Sequence, residues 1–211
     1  GVYAPAVAET VLALALSLSK NLHNYARETE WSGPVGSYLQ GSNVTILGGG
    51  GITIELLPLL APFNCTTTVI RKKDGELPGA SFTYTTEKFE EVLEETDLLV
   101  IALALTEETR GIVDKKVFDL LPSHSFIVNV ARGGHIVTDD LVAALEAEKI
   151  AGAALDVTDP EPLPTGHPLW SLSRCLITVS YTHLRAHETP EHLVFRRVVE
   201  KKKGGGGGGG G

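Results

Sequence analysis

Arg132 is the lone cation in Asn129-Val130-Ala131-Arg132-Gly133-Gly134-His135-Ile136-Val137, directly after an apolar run and before two glycines. A planar guanidinium so placed can grip a carboxylate with two parallel hydrogen bonds and polarise an oxygen next to it. About twenty residues on, Gly152-Ala153-Ala154-Leu155-Asp156-Val157-Thr158-Asp159-Pro160-Glu161-Pro162 places carboxylates at the end of a second apolar run. Upstream, Val44-Thr45-Ile46-Leu47-Gly48-Gly49-Gly50-Gly51-Ile52 breaks from an apolar run into glycines. Gly48 allows a tight turn, and Gly50 lets backbone N–H groups approach a pyrophosphate whose charge a following helix N-terminus stabilises. The pattern G-x-G-x-x-G is filled by Gly48, Gly50 and Thr53, with Gly51 and Ile52 between. Thr53 in the third glycine place predicts looser helix–strand packing or a compensating small residue opposite.

These groups need elements to hold them. Val7, Val11, Leu14, Leu18 and Leu22 recur at helical steps and predict a helix over Ala4–His23, with Leu12 and Leu16 widening its apolar face. Trp31 to Gly36 is a loop rich in breakers. Strands are expected at Asn43–Leu47, Thr67–Ile70, Phe82–Thr85, within Asp97–Leu105, and at Phe126–Val130, Ala151–Leu155 and Cys175–Thr178. Helices are expected at Ile52–Leu60, where Pro58 threatens an early end, and at Glu87–Glu95, Asp114–Leu121 and Leu141–Lys149, the last with Thr138 as N-cap. Strands alternating with helices predict an α/β fold with a parallel sheet and right-handed crossovers. The continuous apolar character of the central strands predicts burial on both faces.

Taken in this order and spacing, the three motifs resemble the nucleotide-binding domain of the D-isomer-specific 2-hydroxyacid dehydrogenases, from about Ala4 to Thr178. The resemblance implies a Rossmann-type doubly wound sheet over 43–178. It makes 1–42 an interdomain helix and loop, and leaves most of the substrate domain outside this chain. It also implies a parent that interconverts a small 2-oxo acid, such as glyoxylate or hydroxypyruvate, with its D-2-hydroxy acid. Arg132 matches the family's substrate-binding arginine, Ala131 lies beside the nicotinamide, and Asp156 meets the carboxamide. Glu161 would hydrogen-bond the catalytic His, raise its pKa and fix its tautomer. Leu105-Thr106-Glu107-Glu108-Thr109-Arg110-Gly111-Ile112 is similar to a cofactor-bordering segment, with Ala104 where the family has Pro. Leu105 or Thr109 is the expected contact there, although Thr106 could simply cap a turn. The leading helix looks like the family's dimer helix, so the parent is expected to be a homodimer.

Cofactor choice is read after the second strand. An NAD site would carry Asp or Glu there to bind the ribose 2′-OH. This chain has Arg71-Lys72-Lys73 before Asp74. Arg71 can bind a 2′-phosphate bidentately, so NADP is favoured over NAD. The competing reading is a solvated charged loop with relaxed preference. The proton donor is harder to place. Reduction of a ketone needs a donor near neutral pH, and the family carries a His shortly after the last strand, in a T-P-H-like turn. Here the chain reaches Thr178 and changes character; His183 lacks the preceding Pro and is read as a chance neighbour. His167 fits a structural turn, and His135 matches no catalytic role.

Residues 179–211 end in three Lys and eight Gly, as poly-A then poly-G DNA would encode, and Val179–Thr189 resembles a translated sequencing adaptor. The tail is read as non-native and disordered; a genuine basic tail with a glycine linker is the competing reading. It carries six Lys or Arg against three Glu, so the remainder bears −11 against −8 for the whole chain. Such acidity argues against binding nucleic acid through its phosphates. Val11–Leu18 is too short to span a bilayer. Cys65 and Cys175 have neither disulfide nor metal spacing and read as reduced thiols of a cytoplasmic protein. No metal is expected. Without an initiator Met or a basic leader, the chain reads as beginning inside a longer protein. A different class remains open: a non-catalytic NAD(H)-sensing protein of the corepressor type, built on the same domain.

Overall fold

The computed structural model describes residues 2–178. The tail and His183 lie outside the described residues. Seven strands form one parallel sheet: β1 (Asn43–Leu47), β2 (Thr66–Ile70), β3 (Phe82–Tyr84), β4 (Leu98–Ile101), β5 (Phe126–Asn129), β6 (Gly152–Leu155) and β7 (Cys175–Ile177). Their order is β3-β2-β1-β4-β5-β6-β7. The chain builds outward from β1 to β3, then returns to the other side of β1 with β4. That reversal opens a crevice beyond the carboxyl ends of β1 and β4, where ligands bind in open α/β sheets.

Period-two alternation explains the uniformly apolar strands. Leu99, Ile101, Ile127, Ala153 and Leu155 point into one core. Leu98, Val100, Val128 and Ala154 point into the other. The first core is closed by α4 (Phe89–Leu93), α5 (Lys115–Leu120) and α6 (Thr138–Glu146) through Phe89, Leu93, Phe118 and Leu141. The second is closed by α1 (Ala4–Ser19) and α3 (Gly51–Leu60) through Val7, Val11, Leu14, Leu56 and Leu60. This is the expected doubly wound Rossmann-type arrangement.

Several element ends differ from expectation. Helix α1 stops at Ser19 because Asn21 takes a left-handed φ of 53°; the chain resumes as α2 (Leu22–Tyr25), which leaves Leu22 exposed. Leu12 and Leu16 are half-buried at the margin of α1. Pro58 sits inside α3 without ending it. The carbonyl it leaves unbonded belongs to Ile54, and both residues are exposed, so water can satisfy it. Thr138 is the first residue of α6 rather than its cap, and its hydroxyl donates instead to the Asp159 carbonyl at 2.7 Å. Asp114 caps α5 by accepting from the Val117 amide.

One row of the sheet organises the rest. Tyr84, Ile70, Leu47, Ile101, Asn129, Leu155 and Ile177 pair successively across all seven strands. They are the last strand residues before the carboxyl edge, so segments scattered along the chain leave the sheet at one level.

Candidate active site at the carboxyl edge

Beyond Leu47 the chain turns at Gly48, whose φ is +107°. A Cβ there would lie 2.5 Å from the Ala102 carbonyl oxygen, so only glycine lets β1 and β4 end side by side. Gly49 lies under the Arg71 side chain, where a Cβ would stand 2.6 Å from Cδ. Gly50 is different. It sits at the N-cap of α3 in an extended conformation, and a Cβ would meet nothing within 4 Å. The space beside it is therefore open, next to the free first-turn N–H groups of α3 around Gly51 and Ile52.

Thr53, the departure from the glycine pattern, is fully buried, and its hydroxyl donates to the Gly48 carbonyl at 2.6 Å. The packing is thus closed rather than loosened: the threonine ties the helix to the bend. Arg71 leaves β2 one residue past the common row. Its Nη2 donates to the Gly75 carbonyl at 2.9 Å, while its buried Nε has no partner among the described residues. A buried guanidinium N–H without an acceptor is costly unless a ligand supplies one. Open space at Gly50, the α3 amides and this orphan donor fit a dinucleotide. Lys72 pairs with Glu108 at 3.0 Å, joining the loops that follow β2 and β4; both side chains are strongly exposed, so the pair contributes little.

After β4, Thr109 serves its own loop. Its hydroxyl donates to the Ala104 carbonyl and accepts from the Thr106 amide, both at 2.8 Å. Leu105 is half-buried and faces Gly134, where a Cβ would lie 3.3 Å from its Cδ2.

Arg132 follows β5 by three residues, on the same edge as the glycine bend and two strands from it, about 10 Å at ordinary strand spacing. It is exposed, its Nη1 donates to the Ala131 carbonyl at 2.6 Å, and among the described residues no carboxylate pairs with it. Ala131 is buried, and its amide donates to Asn129 Oδ1 at 3.0 Å. Asn129 also donates from Nδ2 to the Arg132 carbonyl at 2.9 Å. Sequence reasoning passed over Asn129, although a fully buried polar residue ending an apolar strand was the available signal.

Asp156 follows β6 by one residue and is 5% exposed. Thr178, one residue past β7, donates to its Oδ1 at 2.8 Å, another partner the sequence did not reveal. Glu161 is exposed farther along the same loop. The edge thus gathers Gly48, Gly50, Gly51, Ile52 and Arg71 around the bend, with Leu105, Ala131, Arg132 and Asp156 across the switch point. His135 is fully buried and His167 caps a 3-10 turn by accepting from the Leu169 amide, so neither reaches this edge as a free proton donor.

Among the described residues, no helix is long and apolar enough to cross a membrane, and no cluster of His, Cys, Asp and Glu could hold a metal ion. The family model described as "D-isomer specific 2-hydroxyacid dehydrogenase, NAD binding domain" matches residues 11–180. The chain is 34% identical to the human "Glyoxylate reductase/hydroxypyruvate reductase", over 81% of this chain and 55% of that protein. It is 35% identical to "Glyoxylate/hydroxypyruvate reductase A" of Yersinia enterocolitica, over 70% of this chain and 46% of that protein. Its fold superposes, with TM-score 0.74 and 26% identity, on an NADPH-dependent glyoxylate/hydroxypyruvate reductase from Sinorhizobium meliloti in complex with NADP and sulfate, covering 82% of this chain and 57% of that one. The chain therefore spans about half the length of the curated relatives it matches. With a Rossmann-type sheet, a glycine bend at its switch point and this match over most of its length, the chain belongs to the D-isomer-specific 2-hydroxyacid dehydrogenase family, of which it carries the NAD-binding domain.

Proposed function

We propose that this chain is the cofactor-binding half of an NADP-preferring, cytoplasmic and homodimeric reductase of small 2-oxo acids of the glyoxylate and hydroxypyruvate type. The observation that carries the reading is Arg132: a guanidinium without a carboxylate partner among the described residues, at the same sheet edge as an open glycine bend. The bound dinucleotide would supply hydride to the oxo carbon. Gly50 and the α3 amides hold its diphosphate, Arg71 its 2′-phosphate, and Ala131 and Asp156 border its nicotinamide. Arg132 grips the substrate carboxylate and polarises the adjoining carbonyl. Glu161 orients a histidine that the described residues do not contain, and that histidine delivers the proton to the developing alkoxide. A purely NAD(H)-sensing role has less support, because sensing alone gives no use to an Arg132 that no carboxylate pairs with among the described residues.

The purified 211-residue chain is expected to bind NADPH and to bind oxalate, an unreactive mimic of a 2-oxo acid, once NADPH is present. Hydroxypyruvate turnover is expected to be absent. Lack of NADPH binding would remove the reading. Turnover that disappears in His183→Ala would show that the proton donor lies within this chain after all.

A further inference from the structure

The Arg132 carbonyl is unusually well supplied with donors. Asn129 Nδ2 reaches it at 2.9 Å, His135 Nδ1 at 2.9 Å and the His135 amide at 3.3 Å. Both side chains are fully buried. A carbonyl only accepts, so Nδ1 of His135 carries the hydrogen. Nε2 is buried without a partner among the described residues. The geometry therefore selects the tautomer that carries its hydrogen on Nδ1.

His135 also ties Arg132 to its surroundings. Its carbonyl accepts from the Val113 amide at 2.9 Å, and the neighbouring Gly134 carbonyl accepts from Gly111 at 2.8 Å, so the loop after β4 is stitched to the Arg132 turn. Arg132 itself is extended, with φ −149° and ψ 145°. Fixing its carbonyl fixes the Arg132–Gly133 peptide plane and so the direction in which the side chain leaves the backbone.

We propose that His135, donating through its Nδ1–H together with Asn129, is a positioning residue that presets Arg132 for a substrate carboxylate. The proposal rests on reading Arg132 as the carboxylate-binding group. It gives a role to a histidine that has none in hydride or proton transfer. Its effect is selective: the carboxylate subsite depends on this clamp, whereas the glycine bend two strands away does not.

The test uses the 211-residue chain saturated with NADPH, oxalate as the probe, and the variants His135→Leu and His135→Asn. An Asn amide nitrogen can occupy the place of Nδ1, whereas Leu keeps bulk and removes the donor. The wild-type ring ¹⁵N spectrum is expected to show hydrogen on Nδ1. Backbone relaxation at the Gly133 amide, the other half of the clamped peptide plane, is expected to show rigidity in the wild type and in H135N, and added motion in H135L. H135L is expected to weaken oxalate binding at least tenfold with NADPH affinity within twofold of wild type, and H135N to recover most of the loss. A ring whose Nδ1 carries no hydrogen would overturn the proposal. So would H135N behaving like H135L, or an H135L chain in which Gly133 stays rigid and oxalate binds normally. Failure of the functional reading looks different: the wild-type chain then does not bind oxalate, while the ring spectrum and Gly133 relaxation still decide whether His135 positions Arg132.

Discussion

Gly133 and Thr158 meet backbone to backbone: a Cβ on Gly133 would stand 1.9 Å from the Thr158 carbonyl oxygen and 2.4 Å from the Asp159 nitrogen. The turn bearing Arg132 and the loop bearing Asp156 and Glu161 are thereby pressed together, and the Thr138–Asp159 hydrogen bond fastens the same pair of loops a second time. The cationic and acidic groups of the site are carried on one joined unit.

Gly133→Ala is accordingly expected to destabilise the chain by at least about 1–3 kcal/mol, the usual penalty of overpacking, because two backbones must separate. Gly50→Ala makes the contrast. Nothing lies within 4 Å of its added methyl, so the stability cost stays below about 1 kcal/mol, while NADPH binding weakens because the methyl enters space kept for the diphosphate. Urea unfolding and NADPH titration of both variants check the pair; a Gly50→Ala chain with unchanged NADPH affinity would contradict the assignment of that space.

Thr53→Val keeps shape and burial but deletes the hydroxyl that holds the Gly48 carbonyl. A loss of about 1–2 kcal/mol in unfolding free energy is expected, as for a buried acceptor deprived of its donor. A melting curve that superposes on wild type would show that the bend does not need this tether.

Arg71→Asp replaces a guanidinium, whose Nε has no partner among the described residues, by a carboxylate that repels a 2′-phosphate. NADPH affinity is expected to fall at least tenfold, about 1.4 kcal/mol or more, with NADH affinity nearly unchanged. Unaltered selectivity between the two dinucleotides would remove Arg71 from the 2′-phosphate site.

Burial pushes the Cys175 thiol up from its ordinary value of 9.0 to about 12. The folded chain holds this proton where the unfolded chain releases it, so its contribution to stability is intact below about pH 9 and is lost as pH rises towards about 12. Unfolding free energy measured between these limits is expected to fall more steeply for wild type than for Cys175→Val. At pH 8 a thiol reagent is expected to leave Cys175 unmodified until the chain unfolds, since only the thiolate reacts. Equal slopes in the two chains would show that Cys175 ionises in the native state.

The sheet was legible because its strands are short, apolar on both faces and punctuated by Gly48, Pro122 and the glycines after Arg132. Strand ends were placed within one residue for the same reason, except for β4, which ends at Ile101 well inside the expected span Asp97–Leu105. What escaped were contacts made between distant segments. No local pattern ties Thr178 to Asp156, Thr138 to Asp159 or His135 to the Arg132 carbonyl; these partners meet only when parallel strands bring their ends together. Thr138 illustrates the limit. Its type and place suit a helix cap, yet a carbonyl twenty-one residues away claims the hydroxyl. Asn21 escaped for the opposite reason: apolar periodicity continues through Leu22, and only the left-handed backbone at Asn21 breaks the helix.

The shared last row, from Tyr84 to Ile177, makes the two borders of the sheet unequal in what they can tolerate. A residue inserted inside any strand would invert the pleat and turn every later side chain of that strand to the opposite core. The same residue added in a connection that enters a strand from below would be absorbed before the row begins. Length variation should therefore collect at the amino border, where it leaves the spacing among Gly48, Arg132 and Asp156 undisturbed.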